Sequence, residues 1–302
     1  MKILLTGATG FIGHHLIKSL PASDELIVVS RQAPHGRQAI PHPNVSLYPL
    51  DAIKDVNDID VIINLAGEPI IGKRWSASQK QILCQSRWQT TDNLVNLIAQ
   101  STPKPRVLIN ASAVGIYGTN QPHAVDEATA IEPPLDFAQE ICRTWEQKAL
   151  AAQSSLTRVS LIRIGIVLGD GGALAKMKLP FSLGLGGKIA DGHQGMSWVH
   201  IDDLVALLQH CIHDPHYHGL YNATAPNPVS NREFTQALGQ QLQRPTCLPM
   251  PAFMLNVLLG ESAMLLTQGQ WVLPKRAIAQ GFHFKFPDLA AALQDIYPQS
   301  RP

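Results

Sequence analysis

Charge is scarce in this sequence. Of 302 residues only 16% are Asp, Glu, Lys or Arg, against roughly a quarter in an average soluble chain. The balance is as even as it is thin, 24 Lys and Arg against 23 Asp and Glu. That excludes the strongly basic surface of a dedicated nucleic-acid binder and the polybasic segments that hold proteins to anionic bilayers. With 45% hydrophobic residues, so few charges also argue against intrinsic disorder. Cysteine is sparse too: Cys84, Cys142, Cys211 and Cys247 form no C-x-x-C pair. Neither a disulfide framework nor a zinc knuckle is expected, and a reducing, cytoplasmic setting fits best. No apolar run reaches the roughly 18 residues of a membrane span. The opening run stops at Gly7, too short for a secretory leader core. H-E-x-x-H, the full Walker signature G-x-x-x-x-G-K-[ST] and G-x-S-x-G are all missing, which removes zinc protease, P-loop ATPase and serine hydrolase readings.

What is present is alternation. Strands are expected at Lys2–Thr6, Leu26–Ser30, Val45–Leu50, Asp60–Leu65, Arg106–Ala111 and Ser160–Val167, with helices at Phe11–Leu20, Ser78–Gln100 and Asp136–Gln153. Strands that read as continuously apolar, separated by helices, argue for an α/β, doubly wound parallel sheet covered on both faces. Beyond Leu168 glycines cluster at Gly169, Gly171 and Gly172, then at Gly184, Gly186 and Gly187, which points to loops over a site at about 168–195. A Pro-punctuated, helix-rich tail follows, most apolar at Phe253–Leu266. The expected division is 1–223 for the sheet domain and 224–302 for a smaller substrate-binding C-terminal region.

The strongest chemical signal is Thr6-Gly7-Ala8-Thr9-Gly10-Phe11-Ile12-Gly13, a G-x-x-G-x-x-G between the first strand and the first helix. Gly7 allows a tight turn, Gly10 close approach of a pyrophosphate, and Gly13 packing of the helix near the sheet. The helix N-terminus then presents free N–H groups and a positive dipole end to phosphate. Dinucleotide folds selecting NAD usually close the second strand with an acid; here Ser30-Arg31-Gln32 stands instead. Arg31 is suited to the 2′-phosphate of NADP, so NADP is the expected cofactor.

These motifs, with Asn64-Leu65-Ala66-Gly67, Ser112…Tyr117-Gly118 and Trp198-Val199-His200-Ile201-Asp202-Asp203-Leu204, resemble extended short-chain dehydrogenase/reductases of the NAD-dependent epimerase/dehydratase group, which have Rossmann folds. The resemblance is closer to an atypical, nucleotide-sugar-epimerase-like subfamily often labelled epimerase family proteins. Its marks here include Glu68-Pro69-Ile70, Lys73-Arg74-Trp75, Ser86-Arg87, Trp145-Glu146, Arg163–Leu168, Pro180–Gly187 and, in the tail, Leu273-Pro274-Lys275-Arg276 and Gly281-Phe282. The resemblance implies that Gly7, Thr9, Gly10, Phe11, Ile12 and Gly13 cradle the pyrophosphate. It places Arg31 and Gln32 by the adenosine ribose, and Leu65, Ala66 and Gly67 along the cleft. Asp51, Arg87 and Val167 are further expected contacts.

One departure stands out. Ordinary members carry Tyr-x-x-x-Lys after the fifth strand, the tyrosine moving the proton and the lysine lowering its pKa. Here the stretch is Phe137-Ala138-Gln139-Glu140-Ile141, and Ala113 falls where the usual serine belongs. The remaining proton-transfer candidates are Tyr117, Glu68 and Ser112; two have a structural alternative, packing for Tyr117 and a turn cap for Glu68. Lys73 and Arg74 suit an anionic substrate and Trp75 a stacked ring, or together a solvated loop with one packed Trp. Arg163 reads equally as a satisfied ion pair or a substrate contact. Asp202 or Asp203 is expected to cap a helix starting near Leu204, and the histidines of 210–218 a solvated turn, with no metal. The reading is an NADP(H)-binding oxidoreductase or epimerase acting on a small polar, sugar-like substrate. Its rival is a non-catalytic NADPH-binding sensor or regulator. No nucleic-acid or membrane partner is expected, and the two long helices leave a homodimer open.

Overall fold

The apolar runs become strands where they are interrupted by turn chemistry. The computed structural model describes residues 1–30, 40–119 and 123–298. In chain order it contains β1 (Lys2–Thr6), α1 (Phe11–Ser19), β2 (Glu25–Val29), β3 (Val45–Tyr48), β4 (Val61–Asn64), α2 (Ala77–Gln100), β5 (Val107–Ala113), α3 (Phe137–Leu150) and β6 (Arg158–Ile164). Then come β7 (Ile166–Leu168), α4 (Gly172–Ser182), β8 (Gly195–Met196), β9 (Trp198–His200), α5 (Ile201–His213) and β10 (Gly219–Ala223). The tail holds β11 (Val229–Ser230), α6 (Asn231–Gln241), α7 (Ala252–Leu259), α8 (Met264–Thr267), α9 (Lys275–Ala279) and α10 (Leu289–Ile296).

Seven strands form one parallel sheet in the order β10-β6-β5-β4-β1-β2-β3. The two-residue period of a strand sends alternate side chains to opposite faces. Ile3, Leu5, Val61, Ile63, Val107 and Ile109 enter one core, together with residues of α1 and α5. Leu4, Ile62 and Leu108 enter the other, against α2 and α3. Each fully buried Ile or Leu contributes about 1.5–3 kcal/mol, and burial on both faces explains why the strands read as unbroken apolar runs. The strand order reverses between β1 and β4, and open α/β sheets bind ligands in the crevice at that point.

Two expected boundaries shift. The run expected at Ser160–Val167 divides at Gly165: β6 stays in the main sheet and β7 pairs instead with β9. A Cβ at Gly165 would lie 2.4 Å from the Ser197 carbonyl oxygen, so only glycine lets the strands cross there. The helix expected near Leu204 starts at Ile201. His200 caps it, its Nδ1 accepting the Asp202 N–H at 3.2 Å, and neither aspartate does so.

The tail contributes to more than one of the cores. Ala277 and Phe282 join the core under β1 and α5, while α6 and α10 close a third core with α4 and Trp198. Among the described residues no helix is long and apolar enough to cross a membrane. Cys142 and Cys211 are buried, and burial pushes both thiols up to about 12, whereas Cys247 is exposed. Iodoacetamide applied to native protein is therefore expected to label Cys247 and spare Cys142 and Cys211 until denaturant is added. Peptide mass spectrometry reads this directly; native labelling of Cys142 would mean that α3 opens.

Candidate functional site

The turn from β1 into α1 is built by close approach. Gly7 has φ +74°, and a Cβ there would lie 2.6 Å from the Leu65 carbonyl group. A Cβ on Gly13 would lie 2.4 Å from the Gly7 oxygen. Gly10 differs: its backbone is ordinary and extended, and a Cβ would meet only the Gly7 oxygen at 3.2 Å. It is the N-cap of α1, yet no side chain caps that helix. The first-turn N–H groups and the exposed Thr9 and Gly10 thus face an open cradle with the polarity a phosphate needs. The residues present fit a dinucleotide pyrophosphate. Phe11 contributes backbone only, because its ring lies beneath the turn Gly169–Gly172. A Cβ at Gly169 or Gly171 would come within 2.6 Å of that ring. The glycines after Val167 therefore clamp α1 and start α4, so β7 ends at the same cradle.

Below it lies a polar floor the sequence did not announce. Thr6 Oγ1 donates to Asn64 Oδ1 at 2.6 Å and accepts the Ala66 N–H at 3.2 Å. Asn64 Nδ2 donates to Asn110 Oδ1 and to Thr91 Oγ1. Thr91 also accepts from the Trp145 indole and donates to the Arg87 carbonyl. Asn64, Thr91 and Asn110 are wholly buried. A network so fully satisfied rigidifies the strand ends that carry Leu65, Ala66 and Gly67. Asn64 lies within a motif singled out above; nothing local marked Thr91 or Asn110.

Arg87 acts on this loop from α2. Its guanidinium donates to the Glu68 carbonyl at 3.0 Å and to the Leu83 carbonyl at 3.2 Å, and it stacks 5.2 Å from the Trp145 ring. A Cβ on Gly67 would touch it at 3.0 Å, so Arg87 positions the backbone of the cleft wall. Glu68 sits at the mouth, paired with Lys73 at 2.9 Å, and Ser86 Oγ accepts its N–H. The spacing Gly67…Gly72-Lys73 imitates a P-loop, but Arg74 stands where the hydroxyl residue belongs, and α2 begins only at Ala77. Trp75 is packed: buried, edge-on to Phe137 at 5.1 Å, donating to the Ile70 carbonyl. It is no stacking platform.

Tyr117 and Ser112 are drawn into a second buried network. Ser112 Oγ donates to Glu146 Oε1 at 2.6 Å. Arg163 holds Glu146 through two 2.9 Å hydrogen bonds and donates a third to Tyr117 Oη. The phenol in turn donates to Asn222 Oδ1. Arg163 is therefore in an ion pair, with 4% exposure against 6% for Glu146 and 2% for Tyr117. Burial raises the Tyr117 pKa despite the pull of Arg163, the reverse of what a proton-transferring tyrosine needs. Phe137 and Ile141, at the positions of the usual Tyr and Lys, lie in the apolar cluster with Trp75.

Asp202 and Asp203 tie down the tail. Asp203 accepts the N–H groups of Lys285 and Phe286 at 2.7 and 3.0 Å, and Asp202 pairs with Lys285. His210 stacks on Tyr217. Arg31 and Gln32 lie outside the described residues.

With this geometry in view, the comparisons are consistent. Residues 3–223 match the NAD dependent epimerase/dehydratase family, and residues 250–296 match a domain of unknown function, DUF1731. The chain is 42% identical to the chloroplastic epimerase family protein SDR39U1 homolog of Arabidopsis thaliana, covering 98% of this chain and 86% of that protein. It is 36% identical to the epimerase family protein YfhF of Bacillus subtilis, covering 98% of each. Among solved structures, human epimerase family protein SDR39U1 (isoform 2), crystallised with NADPH, superposes with a TM-score of 0.89 at 35% identity, covering 98% of this chain and 99% of that one. The chain belongs to the NAD dependent epimerase/dehydratase family, among the SDR39U1-like epimerase family proteins with a short C-terminal DUF1731 region.

Proposed function

We propose that this protein is an NADP(H)-dependent oxidoreductase or epimerase. Its substrate is a small molecule bearing a polar hydroxyl or carbonyl group, sugar-like in the simplest case. The observation that carries this is the open cradle at Gly10, in a chain 35% identical to a human protein crystallised with NADPH. Backbone groups of Thr9, Gly10, Phe11, Ile12 and Gly13 hold the pyrophosphate. Arg31 and Gln32 take the adenosine ribose and its 2′-phosphate, and Leu65, Ala66, Gly67 and Val167 line the cleft. Arg87 keeps that wall in place. The bound nucleotide supplies or accepts hydride.

The proton needs another owner than the usual tyrosine. Ser112 and Tyr117 already spend their hydroxyl hydrogens inside the buried network. Glu68 stands at the mouth, with Lys73 stabilising its carboxylate, and is the base in this reading. The burial of Phe137 and Ile141 favours the second reading, a non-catalytic NADPH-binding sensor. The C-terminal region 224–302 forms the substrate side, and a cytoplasmic location and subunit pairing through α2 and α3 belong to the same proposal.

Fluorescence titration is expected to show tighter binding of NADPH than NADH. Arg31→Ala should remove most of the difference, about 10- to 100-fold for the loss of one charge-assisted contact of roughly 1.5–3 kcal/mol. Equal wild-type affinities would overturn the NADP assignment. Oxidation of NADPH across a panel of carbonyl compounds and nucleotide sugars, lost in Glu68→Gln, supports the enzyme. Tight NADPH binding with silence across the panel favours the sensor.

A further inference from the structure

Three segments form a collar around the mouth of the cleft. The loop after β4 carries Gly72, where a Cβ would lie 3.9 Å from Lys176 Nζ of α4. The same loop meets the tail, since the Lys73 carbonyl accepts the Ser262 hydroxyl and a Cβ on Gly260 would lie 3.2 Å from Arg74. The stretch following α4 meets the tail as well. Ala190 donates to the Met250 carbonyl, Met250 to the Lys188 carbonyl, and Arg244 to the Ser182 carbonyl. The collar starts at the cofactor cradle, because Leu65 opens its first segment and the Gly169–Gly172 turn opens α4.

Two properties set this collar apart. Leu179, Leu183 and Leu185 on one side and Phe253, Val257 and Leu258 on the other are more than half exposed, Phe253 at 67% and Val257 at 68%. Soluble surfaces seldom gather large apolar side chains this way without a ligand or partner. Helix α7 buries Leu255 alone. Across the collar, residues 65–76, 169–190 and 243–263 hold six Lys or Arg against three acids, Glu68, Asp170 and Glu261. Of these, Glu68 is paired with Lys73 at 2.9 Å and Glu261 with Lys80 at 2.6 Å. Arg74, Lys176, Lys188 and Arg244 make no ion pair among the described residues.

We infer that the collar binds an amphiphile, a molecule with an anionic head and an apolar tail, and that the polar reacting group of the substrate is carried on such a molecule. The cations match the head, and the apolar side chains of α4 and α7 match a tail. A bare sugar would leave those side chains in water. This rests on the cleft being the nucleotide-loaded site proposed above.

The test uses intact protein saturated with NADPH and monomeric dodecyl phosphate as probe, with inorganic phosphate and dodecyl maltoside as head-only and tail-only controls, read by calorimetry. Dodecyl phosphate is expected to bind at least about tenfold more tightly than either control. Leu183→Glu and Val257→Glu should each weaken it about tenfold or more, while Ile278→Glu, an exposed site on α9, leaves it unchanged. Both collar positions are exposed, so the variants should fold. Affinity no better than that of inorganic phosphate, or unchanged in both collar variants, overturns the inference. So does a stable dimer that the variants dissociate, which would assign the patch to a second copy. Sedimentation with phosphatidylglycerol vesicles without binding of the monomeric probe also overturns it, in favour of a bilayer surface. Absence of NADPH binding in the same samples would instead refute the proposed function.

Discussion

Gly10→Val is expected to abolish NADPH binding, lowering affinity about 100-fold or more, while the protein still folds. The contrast with its neighbours explains why. At Gly7 and Gly13 a side chain would strike backbone at 2.6 and 2.4 Å, so substitutions there damage the turn itself. At Gly10 the backbone sits at φ −78° and ψ 168°, a conformation valine adopts readily. The isopropyl group then fills the space in front of the α1 N-terminus. Losing two charge-assisted hydrogen bonds to phosphate, each about 1.5–3 kcal/mol, gives the stated factor. The stability cost is that of a poorer N-cap, about 1 kcal/mol. Nucleotide fluorescence and a thermal melt on the same sample separate the two effects. Retained binding would place the nucleotide elsewhere.

Glu146→Ala is expected to be the most destabilising single change at the site, by about 3–5 kcal/mol, because it strands Arg163 in the interior without its counter-charge. Glu146 also accepts from Ser112, and Arg163 donates to Tyr117, so the loss spreads to both hydroxyl groups. The pair Glu146→Leu with Arg163→Met, which removes both charges, should recover much of the deficit, since replacing a buried ion pair by apolar residues is often close to neutral. Urea denaturation of the two single variants and the double variant measures this. A cost below about 1 kcal/mol for Glu146→Ala would mean that water reaches the pair.

The sheet and the glycine turn were legible because their causes are local. The unbroken apolar runs Ile3-Leu4-Leu5 and Val61-Ile62-Ile63, and the tight turn at Gly7, leave their mark within a few residues. The start of α5 was read three residues late, because aspartates are commoner helix caps than the histidine that serves here. The exchange of β7 out of the main sheet was not legible either, since Gly165 meets Ser197 only after folding.

The sequence by itself determined the doubly wound sheet, from the alternation of apolar runs and helices, and the glycine turn, from residue type and spacing in one short segment. The lack of a Tyr-x-x-x-Lys pair was read against the resemblance to the family. Only the tertiary structure decided what Ser112, Tyr117 and Arg163 do. Tyr117 meets Asn222 across 105 residues of chain, and Ser112 meets a carboxylate on α3. Such contacts depend on how β5, β6, β10 and α3 come into register. Whether a buried hydroxyl is spent on a neighbour or left for a substrate is fixed by that packing, because a desolvated polar group must find its partner inside the protein.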